Sequence, residues 1–174
     1  MVLVLKYVSN EEDYFNGFLL DRIKKNKGKI CYISFNRSYE SLKKSLMDRK
    51  IDIKTIYFID GVSKLLREPK DKNNCKFILP YDIKNLEKYT IEFVKEGCNL
   101  VIFDSLSSLI VYQQYIPAGM GIMTHFIQSF NKELVKNKGE AIFVCKIKDR
   151  KNFLIEETVR IFKICNYGQK NVKC

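Results

Sequence analysis

One stretch, residues 99–112, restricts the possible folds of this chain more than any other. Residues 100–103 form a continuous apolar run that is too short for a helix and rich in branched and aromatic side chains. Such a run is typical of a strand that is buried on both faces, as in a parallel sheet. After Asp104 the apolar spacing becomes helical through Leu106, Leu109 and Ile110. The stretch therefore predicts a central strand that is followed directly by a helix.

Asp104 ends this strand at its carboxyl end, where open α/β sheets place their ligands. Its carboxylate has two interpretations. It serves the magnesium ion of a nucleotide-hydrolysing site, or it caps the helix that begins near Ser105. The residues of the stretch alone leave both interpretations open.

Four further segments have the composition of strands, namely residues 2–8, 29–35, 53–60 and 140–147. The alternating residues 159–165 predict an edge strand, and residues 77–80 a short extended piece, because the residue before a proline avoids the helical region. Since strands alternate with helical segments, we predict an α/β fold: a three-layer α/β/α sandwich with a mainly parallel sheet of about six strands. A single domain over residues 1–168 and a flexible tail over residues 169–174 are expected.

Capping residues and apolar spacing predict the helices that connect these strands. Ser9 forms a capping box with Glu12 and begins the first helix, which ends at Gly28. Ser38 and Asp82 are predicted to cap two later helices. A further helix carries an apolar stripe made of Met123, Phe126, Ile127, Phe130 and Leu134.

Composition narrows the class of protein. The chain has 174 residues, 46% of them hydrophobic, which suits one domain with a sizeable core. No apolar stretch reaches membrane-spanning length and residues 1–5 lack a signal-peptide pattern, so a soluble, cytoplasmic protein without a membrane partner is expected. The six cysteines include no C-x-x-C pair and His125 is the only histidine, so neither zinc nor a disulfide framework is predicted. Cys31, Cys145 and Cys165 are expected to be reduced core side chains.

The net charge of +11 has two explanations. Lysines near helix ends are expected on a solvated surface, where they interact favourably with helix dipoles. Alternatively, the charge binds nucleic acid or another source of phosphate groups. Four cations are predicted near the carboxyl ends of neighbouring strands: Arg37, Lys148, Arg150 and Lys151. Tyr112 and Tyr115 lie nearby in the sequence as candidate stacking surfaces.

Residues 29–164 resemble the RecA-like ATPase core, in particular its KaiC-like branch and the archaeal relatives of that branch. Three segments carry the resemblance: residues 31–35, 56–61 and 100–109. The last of these is similar to a Walker B strand with a serine-rich continuation. The resemblance implies that the strand of residues 140–147 lies between the Asp104 strand and the first strand. It also implies that Asp104 is a Walker B-like, cofactor-binding position.

The phosphate loop of the family is missing from the sequence. A loop of the form G-x-x-x-x-G-K-[ST] wraps phosphates with backbone N–H groups, while its lysine and hydroxyl serve the terminal phosphate and magnesium. The equivalent residues 7–14 contain no glycine, lysine or threonine. Glu11, Glu12 and Asp13 are predicted to crowd the helix N-terminus that would otherwise attract an anion. We therefore predict that a polyphosphate is repelled there and that no nucleotide cofactor is bound.

A second departure concerns the catalytic carboxylate. In KaiC-like enzymes a glutamate follows the strand that resembles residues 31–35 and polarises the attacking water. This chain has Asn36, Arg37 and Ser38 instead. An asparagine cannot act as a general base, and the arginine reverses the local charge. Asp104 is then a remnant of the site, and the capping interpretation is favoured for it.

These observations lead to three hypotheses of function. The first is a catalytically inactive RecA/KaiC-like domain, not an enzyme, that acts as a regulatory or protein-interaction module. It would pair with a protein partner or with itself, through the loop of residues 62–76 or the edge strand near Val159. The second is a nucleic-acid-associated binding protein. The third is a nucleotide-binding ATPase with an unconventional phosphate loop.

Overall fold

The computed structural model describes residues 3–8, 15–112, 115, 120–149, 151–162 and 165–166. Within these residues the centre is one sheet of seven strands. The strands are β1 (Leu3–Val8), β2 (Lys29–Ser34), β3 (Ile56–Asp60), β4 (Cys75–Phe77), β5 (Cys98–Asp104), β6 (Glu140–Lys146) and the two-residue β7 (Cys165–Asn166). Their order is β4-β3-β2-β5-β6-β1-β7, and every neighbouring pair is parallel. As the resemblance implies, β6 lies between β5 and β1.

Six α-helices connect the strands within the described residues. They are α1 (Leu20–Lys25), α2 (Tyr39–Met47), α3 (Ile83–Lys95), α4 (Leu106–Ile110), α5 (Met120–Lys136) and α6 (Phe153–Phe162). A π-helical turn at Phe15–Leu19 leads into α1. Short 3-10 turns occupy Ile53–Thr55, Ser63–Leu65 and Ile147–Asp149.

The sheet separates two apolar cores, which confirms the predicted three-layer sandwich. Helices α1 and α2 cover one face, where Leu20, Ile23, Leu42 and Leu46 are buried. Helices α3, α4, α5 and α6 contribute to the core on the other face. The predicted stripe of α5 is fully buried there: Met123, Phe126, Ile127, Phe130 and Leu134. Burial of each such side chain contributes about 1.5–3 kcal/mol to the free energy of unfolding, relative to leaving it exposed to water.

The predicted caps of two helices are confirmed. The Ser38 hydroxyl accepts a hydrogen bond from the Ser41 N–H at the start of α2, and the Asp82 carboxylate accepts one from the Asn85 N–H in α3. These side chains satisfy backbone donors that have no partner inside the helix. Gly97 follows α3 with φ of +98°, a conformation that favours glycine.

Several predicted boundaries need correction. The predicted edge strand of residues 159–165 is wrong for residues 159–162, which belong to α6, because Leu154, Ile155 and Thr158 are buried at helical spacing. Its last residue, Cys165, does lie in the edge strand β7. The third strand begins at Ile56, since a 3-10 turn occupies the three residues before it. The predicted extended piece near residues 77–80 is the strand β4, at positions 75–77.

The first helix ends at Lys25, with Asn26 as its C-cap, rather than at Gly28. Gly28 has a different role. A Cβ there would overlap the Asn99 side chain, so glycine permits the close approach of the chain to that side chain. The predicted capping box at Ser9, residues 9–14 of the phosphate-loop equivalent at residues 7–14, and the tail at residues 169–174 lie outside the described residues.

No helix among the described residues is both long enough and apolar enough to cross a membrane. In the same part of the chain, no three or more His, Cys, Asp or Glu side chains are grouped so that they could hold a metal ion. His125 is mostly exposed on α5, with Nδ1 3.5 Å from Oε1 of Glu87.

Among the cysteines whose side chains the structure describes, four are buried and free: Cys31, Cys75, Cys98 and Cys145. Burial raises the pKa of each of these thiols, in the case of Cys98 from 9.0 to about 12. The uncharged thiol is favoured because the apolar core solvates a thiolate poorly. The predicted core role is confirmed for Cys31 and Cys145, whereas the side chain of Cys165 lies outside the described part of the chain.

These four thiols should resist alkylation by iodoacetamide at pH 8 in the native protein and react readily in denaturant, because the thiolate is the reactive form. Peptide mass spectrometry would locate the labelled positions, with Val111→Cys as a control for an exposed thiol. Thiolates form more readily in the unfolded chain, so protein stability should fall as the pH rises from about 9 towards 12. Rapid labelling of Cys31 in a protein whose circular dichroism spectrum is that of the folded state would contradict the burial of this thiol.

Candidate functional site

The carboxyl ends of β2 and β5 form a topological switch point. The connection after β2 leads to α2 on one face of the sheet, whereas the connection after β5 leads to α4 and α5 on the other face. Between two such strands the loops separate and leave a crevice, which is where open α/β sheets bind ligands. Asp104 is the last residue of β5 and lies at this point.

The Asp104 carboxylate is almost completely buried, with 3% of the residue exposed. The Tyr32 hydroxyl donates a hydrogen bond to Oδ2 at 2.6 Å. The Asn36 side-chain amide donates one to Oδ1 at 3.0 Å. Both carboxylate oxygens thus accept hydrogen bonds from uncharged donors of the chain, which offsets part of the cost of burying the carboxylate. We call Asp104, Tyr32 and Asn36 the Asp104 cluster.

Strand register brings this cluster together. Ser34 of β2 pairs with Asp104 of β5, and Tyr32 pairs with Ile102. Because side chains alternate along a strand, Tyr32 and Asp104 project from the same face of the sheet, two positions apart. That face is the one covered by α1 and α2, where Tyr32 and Ile102 are buried.

The loop after β2 holds Asn36 in place. The Ser34 hydroxyl accepts a hydrogen bond from the Arg37 N–H and donates one to the Arg37 carbonyl oxygen. The Phe35 N–H donates to the Asp104 carbonyl oxygen at 2.8 Å, which continues the pairing of β2 with β5. The loop therefore turns sharply and directs the Asn36 amide at the Asp104 carboxylate.

Asp104 does not cap the following helix, so that interpretation is wrong. Ser105 is the N-cap of α4, and its hydroxyl accepts the hydrogen bond from the Ser108 N–H. The peptide bond between Asp104 and Ser105 is cis. Asp104 instead connects neighbouring strands and the loop after β2, a role that spacing in the sequence does not reveal.

A second buried carboxylate at the same edge is structural. Asp60 ends β3 and accepts hydrogen bonds from the backbone N–H groups of Tyr39, Val62 and Ser63 and from the Ser63 hydroxyl, at 2.6–2.9 Å. With four donors around it, this side chain joins the start of α2 to the loop after β3.

The predicted cations do not form a single group among the described residues. The Arg37 guanidinium lies 4.2 Å from the centroid of the Phe15 ring, on the α1 and α2 side of the sheet. Lys148 lies on the other side and is exposed, as is Lys151 in the turn before α6. Arg150 lies outside the described residues. Their role in binding phosphate stays a prediction.

Lys148 lines an open cleft of about 270 Å³ near the carboxyl ends of β5 and β6. We call it the β5–β6 cleft, and its walls include Phe35, Ser108, Val111, Tyr112, Lys146 and Lys148. The Ser107 hydroxyl accepts a hydrogen bond from the Lys146 N–H at 2.7 Å and so fixes α4 against the end of β6. The cleft combines two lysines and one carboxylate, Asp149, with aliphatic and aromatic side chains, and this composition suits an anionic, partly apolar ligand.

Comparisons with known proteins identify the fold. No family model matches the chain, and no curated protein sequence matches it. A KaiC-like protein from the hyperthermophilic archaeon Pyrococcus horikoshii matches with a TM-score of 0.59 and 13% identity, over 90% of this chain and 67% of that one. The RadB recombinase matches with a TM-score of 0.57 and 12% identity, over 90% of this chain and 70% of that one. The chain therefore has a RecA/KaiC-like fold, as the resemblance implies.

Tyr32→Phe should lower the free energy of unfolding by about 1.5–3 kcal/mol, because it removes a hydrogen bond to a buried carboxylate. Tyr57→Phe, at a half-buried tyrosine on the neighbouring β3, is the matched control and should cost less than about 1 kcal/mol. Chemical denaturation at pH 7 measures both. Equal effects of the two substitutions would contradict the importance of the Tyr32 hydroxyl.

Proposed function

We propose that this RecA/KaiC-like domain does not hydrolyse nucleotide and acts as a regulatory, protein-binding module. The hydrogen bonding of Asp104 carries the proposal. In a hydrolytic site a carboxylate at this position must be available to the water ligands of magnesium. Here Tyr32 and Asn36 donate to both of its oxygens. A hydrated magnesium ion would compete with these bonds.

A residue in the loop after β2 supports the same conclusion. Asn36 occupies the place where the resemblance puts a water-polarising glutamate, and its amide donates to Asp104. An amide has no proton-accepting role at neutral pH. The interaction also requires a donor at this position, so the asparagine is explained by the structure of the cluster and not only by loss of a base.

The sequence of residues 9–13 adds an electrostatic reason. Glu11, Glu12 and Asp13 follow β1 where a phosphate loop would otherwise begin, and no lysine is among them. A triphosphate would meet like charges there, without the lysine that normally neutralises it.

The loop between β3 and β4 is a candidate contact surface for a protein partner. Leu66 is 84% exposed and Leu65 is 44% exposed in this loop. Large apolar side chains at the surface favour contact with another protein. The other surface, an edge strand near Val159, is withdrawn because that residue belongs to α6.

A nucleic-acid-associated function is the second candidate, and the net charge of +11 favours it. The placement of Arg37 over Phe15, away from Lys148, weighs against one continuous phosphate-binding groove. We therefore rank it below the protein-binding module, and the unconventional ATPase third.

The proposal is tested by titrating the protein with magnesium and ATP in a calorimeter and by following phosphate release. We expect no binding at millimolar ATP, no increase in melting temperature and no release above a protein-free blank, because the site lacks both phosphate ligands and a base. Saturable binding of magnesium-ATP with phosphate release that Asp104→Asn abolishes would establish an ATPase and refute the proposal.

Asn36→Glu supplies the glutamate of the family and should still not create ATPase activity. It places a second carboxylate beside Asp104 and should cost about 1–3 kcal/mol of stability at pH 8. The cost should shrink at pH 5, because the raised carboxyl pKa lets the pair hold a shared proton. Asn73→Glu, at an exposed asparagine, is the control and should change stability by less than about 0.5 kcal/mol.

A further inference from the structure

We infer that the β5–β6 cleft binds an acidic peptide segment of a protein partner, anchored by large apolar side chains. The inference rests on the proposed function, because it names the chemistry of the partner that such a module would hold. It concerns the side of the sheet opposite the Asp104 cluster. The shape, charge and apolar content of the cleft carry it.

The first observation is the shape of the cleft. Its volume of about 270 Å³ and its open form suit a few side chains of an extended or helical segment. One wall comes from α4 and the residues after it, and the other from the end of β6 and the following turn. The hydrogen bond from the Lys146 N–H to the Ser107 hydroxyl holds the two walls together. The cleft is thus formed by the packed domain before any ligand arrives.

The second observation is its charge. Residues 146–151 carry four cations and one carboxylate, Asp149. Lys148 is exposed along the cleft and supplies most of its accessible positive charge, while the half-buried Lys146 and the half-buried Asp149 carboxylate also line it. An acidic segment would be attracted to this wall. A second copy of the chain would bring a further charge of +11 to this lysine-bearing wall, so it suits the cleft less well than an acidic peptide does.

The third observation separates a peptide from a nucleic acid. Val111 and the half-buried Ile110 line the cleft, and Val111 is 67% exposed; Ile147, between the lining residues Lys146 and Lys148 in the sequence, is 48% exposed. The cleft walls also hold two rings, but Phe35 is 4% exposed and only the half-buried Tyr112 is available to a stacked base, whereas single strands bind mainly through successive stacking on aromatic side chains in a basic groove. Exposed aliphatic side chains next to lysines match the apolar anchors and acidic flanks of a peptide.

The test uses a phage library of random peptides, each of about 12 residues, selected on the immobilised full-length protein. We expect the enriched peptides to carry net negative charge together with Leu, Ile, Phe or Trp. The best one is then synthesised with a fluorescent label, and its affinity is measured by anisotropy at low and at physiological salt. Binding should weaken with salt, since part of it is electrostatic.

Four variants locate the binding site. Lys148→Glu should weaken binding of the labelled peptide at least about tenfold, because it replaces an attractive charge by a repulsive one. Val111→Ser should weaken binding at least about threefold, because it removes an apolar contact. Lys132→Glu and Val135→Ser replace an exposed lysine and a 49%-exposed valine on α5 and should change affinity less than about twofold. All four positions are at the surface or half-exposed, so each variant should still fold and give a cooperative thermal melting curve.

Three results would overturn the inference: no enrichment above the blank support, enrichment of neutral or basic peptides, or equal losses in the cleft and control variants. A single-stranded oligonucleotide of roughly 20 nucleotides that binds more tightly than the best peptide, and loses affinity in Lys148→Glu, would assign the cleft to nucleic acid instead. Phosphate release from ATP by the same preparation would refute the proposed function, and the variants would still decide the role of the cleft.

Discussion

The hydrogen bonds from Tyr32 and Asn36 to the buried Asp104 carboxylate are the interaction on which the candidate site depends. A carboxylate that is 3% exposed is costly unless the protein supplies donors, and these two come from β2 and from the loop after it. The pairing of Ser34 with Asp104 brings the donors within reach. A shift of the register by one residue would turn Asp104 to the opposite face and lose both bonds. The polar cluster and the apolar pattern of the central strands therefore specify the same alignment.

The switch point between β2 and β5 divides the carboxyl edge into two regions. On the α1 and α2 side, Asp104 is held by uncharged donors and Arg37 packs on Phe15. On the other side, α4 and the end of β6 enclose the β5–β6 cleft with its lysines. The first region contains the Asp104 cluster on which our proposal of lost hydrolysis rests, and the second lies on the other face of the sheet. A domain of this shape can lose hydrolysis in one region and still present a binding surface in the other.

Much of the architecture could be predicted from the sequence, because local patterns determine it. The apolar run before Asp104, the caps at Ser38 and Asp82 and the stripe of α5 each depend on side chains close together in the chain. Residues 159–162 show where this fails. Their alternation is compatible with a strand, but the buried Leu154 and Thr158 continue a helical period that began earlier. A segment this short fits both the alternation of a strand and the period of a helix, and only its packing in the folded domain shows that it is helical.

The site was less predictable, since it depends on contacts between segments far apart in the sequence. The position of Asp104 at the end of a predicted strand indicates a candidate site residue, but the sequence does not indicate which side chains contact it. Tyr32 lies inside an apolar run, and only the parallel register with β5 shows that its hydroxyl reaches a carboxylate 72 positions away. The β5–β6 cleft likewise needs α4 to pack against the end of β6. The charge of residues 146–151 indicates Lys148 as a candidate binding residue. Val111 is a single apolar residue after α4, and it carries no periodic signal that would predict a binding role.

The central claim is that Asp104 serves the structure of the domain and no longer serves a metal-bound nucleotide. A crystal structure of the protein grown with magnesium and a non-hydrolysable ATP analogue would test it most directly. We predict that Asp104 keeps its hydrogen bonds to Tyr32 and Asn36, with no triphosphate beside residues 9–14. Density for a triphosphate at those residues, with magnesium bridged through water to Asp104, would contradict the account.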